Sequence, residues 1–141
     1  MTRPLHEKLP FDAAKREPPS TATARTQDPH GAGGDDEGPG LGVFQGACAS
    51  CHHWDGSGVQ SPYAALTGIR AVNDPDAVNL TQVVLQGTRL HSHLGVQFMP
   101  SFGKAYSDAE VAALANYVTG RFGAQASTLT PDEIAKRRGA E

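Results

Sequence analysis

Residues 47–54 read ACASCHHW and hold both cysteines of the chain, Cys48 and Cys51, with two of its six histidines, His52 and His53. Thiols and imidazoles are soft ligands, and here they are gathered into one short stretch. On a helical turn, positions three apart share a face. Both sulfurs then point the same way, with His52 directly after the second. Such an arrangement addresses a single object, and the rest of the sequence has to say which.

Length and composition set the bounds. A chain of 141 residues allows one domain of ordinary size, and its 38% hydrophobic content is low for such a domain. Part of the core is therefore expected to come from something other than side chains. The net charge of −3 is spread along the chain: residues 1–40 carry five Lys/Arg against seven Asp/Glu, residues 41–123 four against five, and residues 124–141 three against three. This leaves no basic field for nucleic acid or an anionic membrane. No apolar run approaches the ~18–20 residues of a membrane span, and the N-terminus lacks the apolar h-region of a signal peptide. As written, the chain reads as soluble and without an export address.

Residues 1–40 are dense in Pro, Gly, Thr and charge, with only scattered apolar residues. Such a segment buries too little apolar surface to offset the entropy of ordering it, and it reads as a flexible tail or a linker. Apolar residues thicken from Leu41, and three helices are predicted beyond it. The first runs from Leu41 to about Ser50, with Leu41, Phe44 and Ala47/Cys48 on one face, and delivers both cysteines at its C-terminal end. The second spans roughly 75–86, with Asp74 as N-cap, Pro75 at the first position and Gly87 closing it, and it buries Leu80, Val83 and Val84. The third is predicted over 108–122, where Ser107 and Glu110 form a capping box and Val111, Leu114, Ala115, Val118 and Phe122 recur at helical spacing. No stretch alternates long enough to predict a strand, so the domain over 41–123 reads as all-α. Its long connections, 53–73 and 87–106, suggest chain wrapped around a large body.

Three chemistries use Cys-x-x-Cys. A thioredoxin-like redox pair requires a βαβ context that is missing here. A zinc site would draw on Cys48, Cys51 and two of His52, His53, His91 and His93, although some forty residues separate the halves of that set. The third is covalent attachment of a c-type haem, of which Cys-x-x-Cys-His is the signature: two thiols one turn apart can bond the two vinyl groups of a porphyrin, and the adjacent His52 reaches the iron. A sixth iron ligand separates haem from zinc. Met99 is the sole methionine after the initiator; it lies in the connection before the last predicted helix and precedes Pro100, which fixes the backbone. Thioether and imidazole on opposite faces give the Met/His iron of electron carriers.

Taken together, Cys48 to His52, "DGSG" at 55–58, Pro62 with Leu66, the helix ending "VVLQG", "FMPSFG" at 98–103 and "YSDAEVAALANYV" at 106–118 resemble a class I cytochrome c. More narrowly, residues 41–123 resemble the haem domains of bacterial dehydrogenase cytochrome subunits. The resemblance implies one covalent haem c held by Cys48 and Cys51, axial ligation by His52 and Met99, and a backbone carbonyl near Pro62 that orients the His52 ring. It also implies a crossing of Phe44 with Leu114 and Tyr117. The function implied is electron transfer between a dehydrogenase, as donor, and a cytochrome or terminal oxidase of the respiratory chain, as acceptor. The place implied is the periplasm or the outer face of the cytoplasmic membrane, with no membrane span and no catalysis by the chain itself. Where the family usually has Gly after the haem-binding histidine, this chain has His53. With no export signal in view, residues 1–40 suit a fragment or an interdomain linker.

Two alternatives stay open at this level: a zinc-stabilised interaction module, and a peroxidase-like haem enzyme if Met99 is not a ligand. His91 and His93 read as solvated loop residues, and Trp54 as ordinary packing. Residues 124–141 read as a tail with a short surface helix opened by a Thr130/Glu133 capping box, free to dock on a partner.

Overall fold

The helix that delivers the two cysteines begins earlier than its apolar pattern suggests. The computed structural model describes residues 38–58 and 61–140, so the expected tail lies, up to residue 37, outside the described residues. Three helical segments, Pro39–Val43, Phe44–Cys48 and Ala49–His52, run on without a break as helix α1. Pro39 occupies its first turn, where a missing N–H costs nothing. The middle segment is a π turn: the Ala49 N–H reaches back five residues to the Phe44 carbonyl. Sequence periodicity does not show this extra residue in the turn, which shifts the phase of the helix just ahead of the site.

After α1 come a 3-10 turn Pro62–Ala64, helix α2 Arg70–Asn73, helix α3 Val78–Gln86, strands β1 Thr88–Ser92 and β2 Gly95–Met99, helix α4 Asp108–Phe122 and helix α5 Pro131–Arg138. The fold is mainly helical, as expected. Helix α4 has the predicted bounds, and its capping box is complete: Glu110 N–H donates to Ser107 Oγ at 3.3 Å and Ser107 N–H to Glu110 Oε2 at 2.8 Å. Helix α3 closes at Gly87 as predicted but starts three residues late. Asp74 Oδ1 accepts from the Asp76 N–H, forming a local turn, and Ala77 is left-handed and fully buried, so regular helix can begin only at Val78. The buried face of α3 is Leu80, Thr81, Val84 and Leu85, while Val83 is only half-buried.

Two corrections concern the connection 87–106. It contains an antiparallel hairpin, with Thr88 opposite Met99 and Ser92 opposite Gly95, where no strand was expected. Leu90, Val96 and Phe98 are exposed while the polar Gln97 is half-buried, so the apolar positions do not mark an inward face and the usual strand signal is absent. Met99 is accordingly the last residue of a strand and not a loop residue.

The core forms where α1 crosses α4. Phe44 is fully buried, its ring centroid 5.5 Å from that of Tyr117 and 5.4 Å from that of Phe122, with Leu114 in the same cluster. Trp54 packs edge-on against Phe44 at 6.2 Å. The backbones approach most closely at Gly40, where a Cβ would fall onto the Ala113 carbonyl and lie 2.8 Å from Tyr117 Cβ. The last helix also packs inward. Ile134 is fully buried, and the connection before it is tied to α4 by Ser127 Oγ donating to Asn116 Oδ1 (2.8 Å), Leu129 N–H to the same oxygen (2.8 Å) and Ser127 N–H to Thr119 Oγ1 (2.8 Å). The helix expected here is present on the surface: most of its residues are exposed, and Ile134 is its one buried residue.

Gly40→Ala should destabilise the protein by about 1–3 kcal/mol because α1 must move off α4. The exposed Gly42, where an added Cβ would meet nothing within 4 Å, provides the control: Gly42→Ala should stabilise by up to about 1 kcal/mol. Denaturant unfolding of the two variants beside the wild type measures both.

Candidate functional site

The two thiols of α1 border one cavity but differ in exposure. Cys48 is buried and Cys51 exposed, and neither is in a disulfide. Burial, and secondarily the neighbouring Cys51, push the Cys48 thiol up to about 11. It therefore stays protonated at neutral pH, opposite to the depressed pKa that a redox-active dithiol uses.

His52 follows, half-buried at the end of α1. Its Nδ1 lies 2.6 Å from the carbonyl oxygen of Ala64. A carbonyl can only accept, so Nδ1 is the donor, and in the neutral ring the lone pair then lies on Nε2. Ala64 is brought there by a folded connection. The Gly58 N–H donates to the His52 carbonyl (3.1 Å), the Ala64 N–H to the Ser61 carbonyl (2.9 Å) and the Leu66 N–H to the Gly56 carbonyl (2.8 Å). Gly58, at φ +62°, lies against the Ala64–Ala65 peptide, where a Cβ would collide. The expected carbonyl near Pro62 is thus that of Ala64; Pro62 itself opens the 3-10 turn that presents it.

Met99 comes from the other side of the sequence, at the end of β2, and shares two cavities with α1. One, of about 300 Å³, is lined by Cys48, Cys51, His52, Tyr63, Phe98 and Met99 among others. The second, of about 160 Å³, reaches deeper among Phe44, Leu66, Val72, Val84, Leu114 and Val118, and is also lined by Cys48, His52, Tyr63 and Met99. Two thiols, an imidazole with its lone pair available and a thioether therefore meet on one crevice whose inner wall is aliphatic and aromatic. No buried side-chain nitrogen or oxygen among the described residues lacks a partner. This donor set fits a flat apolar group that carries a metal: sulfurs at one end, a nitrogen and a sulfur for the metal, and hydrocarbon around the rest.

The zinc alternative fares differently. Among the described residues no group of three or more His, Cys, Asp or Glu side chains is placed to hold a metal ion. His91 is exposed in β1 and pairs with Val96, His93 is exposed in the hairpin turn, and His53 points to solvent with Nδ1 3.9 Å from Asp55 Oδ1. The nominal Cys2His2 set is not brought together.

Comparison with known proteins agrees with this geometry. The family profile described as cytochrome c matches residues 37–121. The chain belongs to the cytochrome c family. Its relatives include the gluconate 2-dehydrogenase cytochrome c subunit of Pantoea cypripedii, 35% identical over 74% of this chain and 25% of that protein. The fructose dehydrogenase cytochrome subunit of Gluconobacter japonicus is 28% identical over 70% of this chain and 22% of its own length. The cytochrome c subunit of a quinone-type alcohol dehydrogenase from Gluconobacter oxydans is 33% identical, again over 70% of this chain and 22% of its own. This cytochrome thus spans about a quarter of the length of these relatives. It is an electron-transfer haem protein whose cofactor is covalently bound haem c, with Cys48 and Cys51 standing as the Cys-x-x-Cys-His motif requires.

Cys48, Cys51, His52 and Met99, all singled out in the sequence, line one crevice; Ala64, which contacts His52 through its backbone, and Tyr63, which lines both cavities, carry no such signal. The substitution of His53 for the usual glycine has a structural consequence. The residue sits at φ +66°, ψ +160°, a conformation that L-residues rarely adopt and glycine adopts freely. His53→Gly should raise stability by about 1 kcal/mol and His53→Ala should not, since only glycine relieves the strain. Denaturant midpoints of the two variants, with unchanged visible spectra, check this.

Proposed function

We propose that this chain is a single-haem electron carrier in which Cys48 and Cys51 hold the porphyrin by thioether bonds and His52 and Met99 are the axial ligands. The observation that carries the reading is the hydrogen bond from His52 Nδ1 to the Ala64 carbonyl. It leaves Nε2 as the one nitrogen available to a metal, in a crevice that Met99 also lines. Such a bond to the far nitrogen of a ligating histidine fixes the tautomer and raises the basicity of the ligand. When bound, the haem supplies a one-electron iron couple. The residues do the rest: with His52 and Met99 both holding the iron, no coordination position would be left for a substrate, and the chain would carry electrons without catalysing a reaction of its own. The aliphatic wall excludes water, and a thioether ligand favours the reduced state.

Cys51, Tyr63 and Phe98 are exposed, the last at 67%. They border the larger cavity, so one edge of the site lies at the protein surface, where electron tunnelling to a docked partner is shortest. The relatives support a donor that is a dehydrogenase and a role for this chain as one haem module of a longer electron path into the respiratory chain. On the same grounds the site of action is the periplasm or the outer face of the cytoplasmic membrane; no helix among the described residues is long and apolar enough to cross a membrane.

The test of the ligand set is spectroscopic. The oxidised wild type should show the sulfur-to-iron charge-transfer band. Met99→Ala should lose it, bind exogenous ligands and drop in reduction potential by on the order of 0.1 V, within the ~0.8 V range that axial ligands span. His91→Ala and His93→Ala should do none of these. A wild type without the band, in which one histidine variant alone turns high-spin, would make the iron bis-histidine and remove Met99 from the site.

A further inference from the structure

The C-terminal helix lies beyond the residues matched by the family profile, which end at 121. Its last two described arginines nevertheless reach into the domain, and in different directions. Arg137 donates through Nη1 to the Ala77 carbonyl (3.2 Å) and to Thr81 Oγ1 (2.6 Å), and through Nη2 to the Asp76 carbonyl (2.8 Å), all at the start of α3. Arg138 turns to the connection between Met99 and α4. Its Nε donates to Asp108 Oδ1 at 2.5 Å, its Nη1 to the Gly103 carbonyl and its Nη2 to the Tyr106 carbonyl at 2.7 Å. All three nitrogens of one guanidinium are engaged, and the side chain is 29% exposed.

That connection has two anchors. On one side it hangs from the C-terminal end of α3: Ser101 Oγ donates to the Leu85 carbonyl (2.5 Å), Phe102 N–H to the Val84 carbonyl (2.9 Å) and Gly103 N–H to the Leu85 carbonyl (3.2 Å). On the other side stands Arg138. The Gly103 residue is gripped from both, its N–H by α3 and its carbonyl by α5, and a Cβ there would lie 2.6 Å from the Leu85 carbonyl oxygen. Gly103 is four residues after Met99, and Pro100 stiffens the first of the intervening links. Displacement of the connection is therefore passed to the thioether with little slack.

We infer that Arg138 is a positioning residue: it clamps the 100–107 connection and so holds Met99 on the iron. The inference rests on Met99 being the axial ligand. Without Arg138, two carbonyls and the Asp108 carboxylate lose their donor, and the stretch between the α3 contacts at 101–103 and the Ser107/Glu110 capping box loses its tie to α5. Arg137 supplies a built-in control, because it comes from the same helix and makes as many hydrogen bonds but donates none to the connection. Ile134, fully buried, seats the helix in every variant.

The experiment uses the full haem-loaded chain and follows the rate at which imidazole replaces the thioether in the oxidised protein, together with the unfolding midpoint. Arg138→Ala should keep the sulfur-to-iron band at rest but take up imidazole about tenfold faster than wild type, whereas Arg137→Ala should stay within about twofold in rate even where its midpoint falls. Arg138→Lys, which keeps the charge opposite Asp108 and loses the fork, should lie between wild type and Arg138→Ala. Asp108→Asn, which loosens Arg138 without removing it, should also accelerate uptake and serves as the readout if Arg138→Ala does not fold. Equal rates in wild type and the Arg138 and Asp108 variants, or equal acceleration by Arg137→Ala, would overturn the clamp and leave the Met99 assignment intact. A wild type lacking the sulfur band would overturn both, and that result is visible before any variant is made.

Discussion

One hydrogen bond organises this site. His52 is the last residue of its helix, and its ring is fixed by a contact of 2.6 Å to a carbonyl twelve residues away. If the ring swung away from Ala64, Nε2 would lose its direction and Nδ1 would compete for the metal. The connection between them is folded to make the contact: Gly58 packs on the Ala64–Ala65 peptide, and the 3-10 turn from Pro62 to Ala64 aims the oxygen. The strained backbone of His53 belongs to the same arrangement. The chain must leave α1 in a left-handed conformation at that residue for Gly58 to return to the His52 carbonyl.

The crossing of α1 and α4 gives this bond its frame. With Gly40 set against Ala113 and Phe44 among Tyr117 and Phe122, the end of α1 is fixed relative to the core. Val84, Leu114 and Val118 belong to that core and also line the deeper cavity. A group seated in the crevice is consequently packed by the same side chains that hold the helices together, and its binding and the stability of the fold are linked. A low hydrophobic content and long connections are what such a division of the core between protein and cofactor requires. The C-terminal arginines extend the frame, one to the start of α3 and one to the chain that carries Met99.

Much of this was legible in the sequence, and the failures have identifiable causes. Helix α4 and the start of α5 were placed by Ser107/Glu110 and Thr130/Glu133, because a capping box is a short-range interaction between named side chains. Gly87 was legible for another local reason: the helix ends there at positive φ, which glycine adopts freely. The start of α3 was missed because Asp74 uses its carboxylate on a turn instead of a helix cap, and Ala77 takes a conformation that its identity does not announce. The hairpin was missed because its apolar residues Leu90, Val96 and Phe98 are exposed while the polar Gln97 is half-buried, so no apolar face repeats with a period of two. In the site, Cys48, Cys51, His52 and Met99 were legible as side chains with distinctive chemistry. The acceptor for His52 was placed only as near Pro62, since a backbone carbonyl carries no residue identity. Arg137 and Arg138 carry no signal in the sequence, because only the folded chain shows that two carbonyls and a hydroxyl await the first, and two carbonyls and a carboxylate the second.

The central claim is that the two thiols of α1 are consumed in holding a haem. Its most direct test is the mass and haem staining of the chain, expressed with an export signal and maturation machinery, after full denaturation. The account predicts one haem that migrates with the denatured chain, no alkylatable thiol, and loss of the covalent haem when Cys48→Ala and Cys51→Ala are combined. Colourless protein from the same cells, with both thiols free to alkylate, would contradict it.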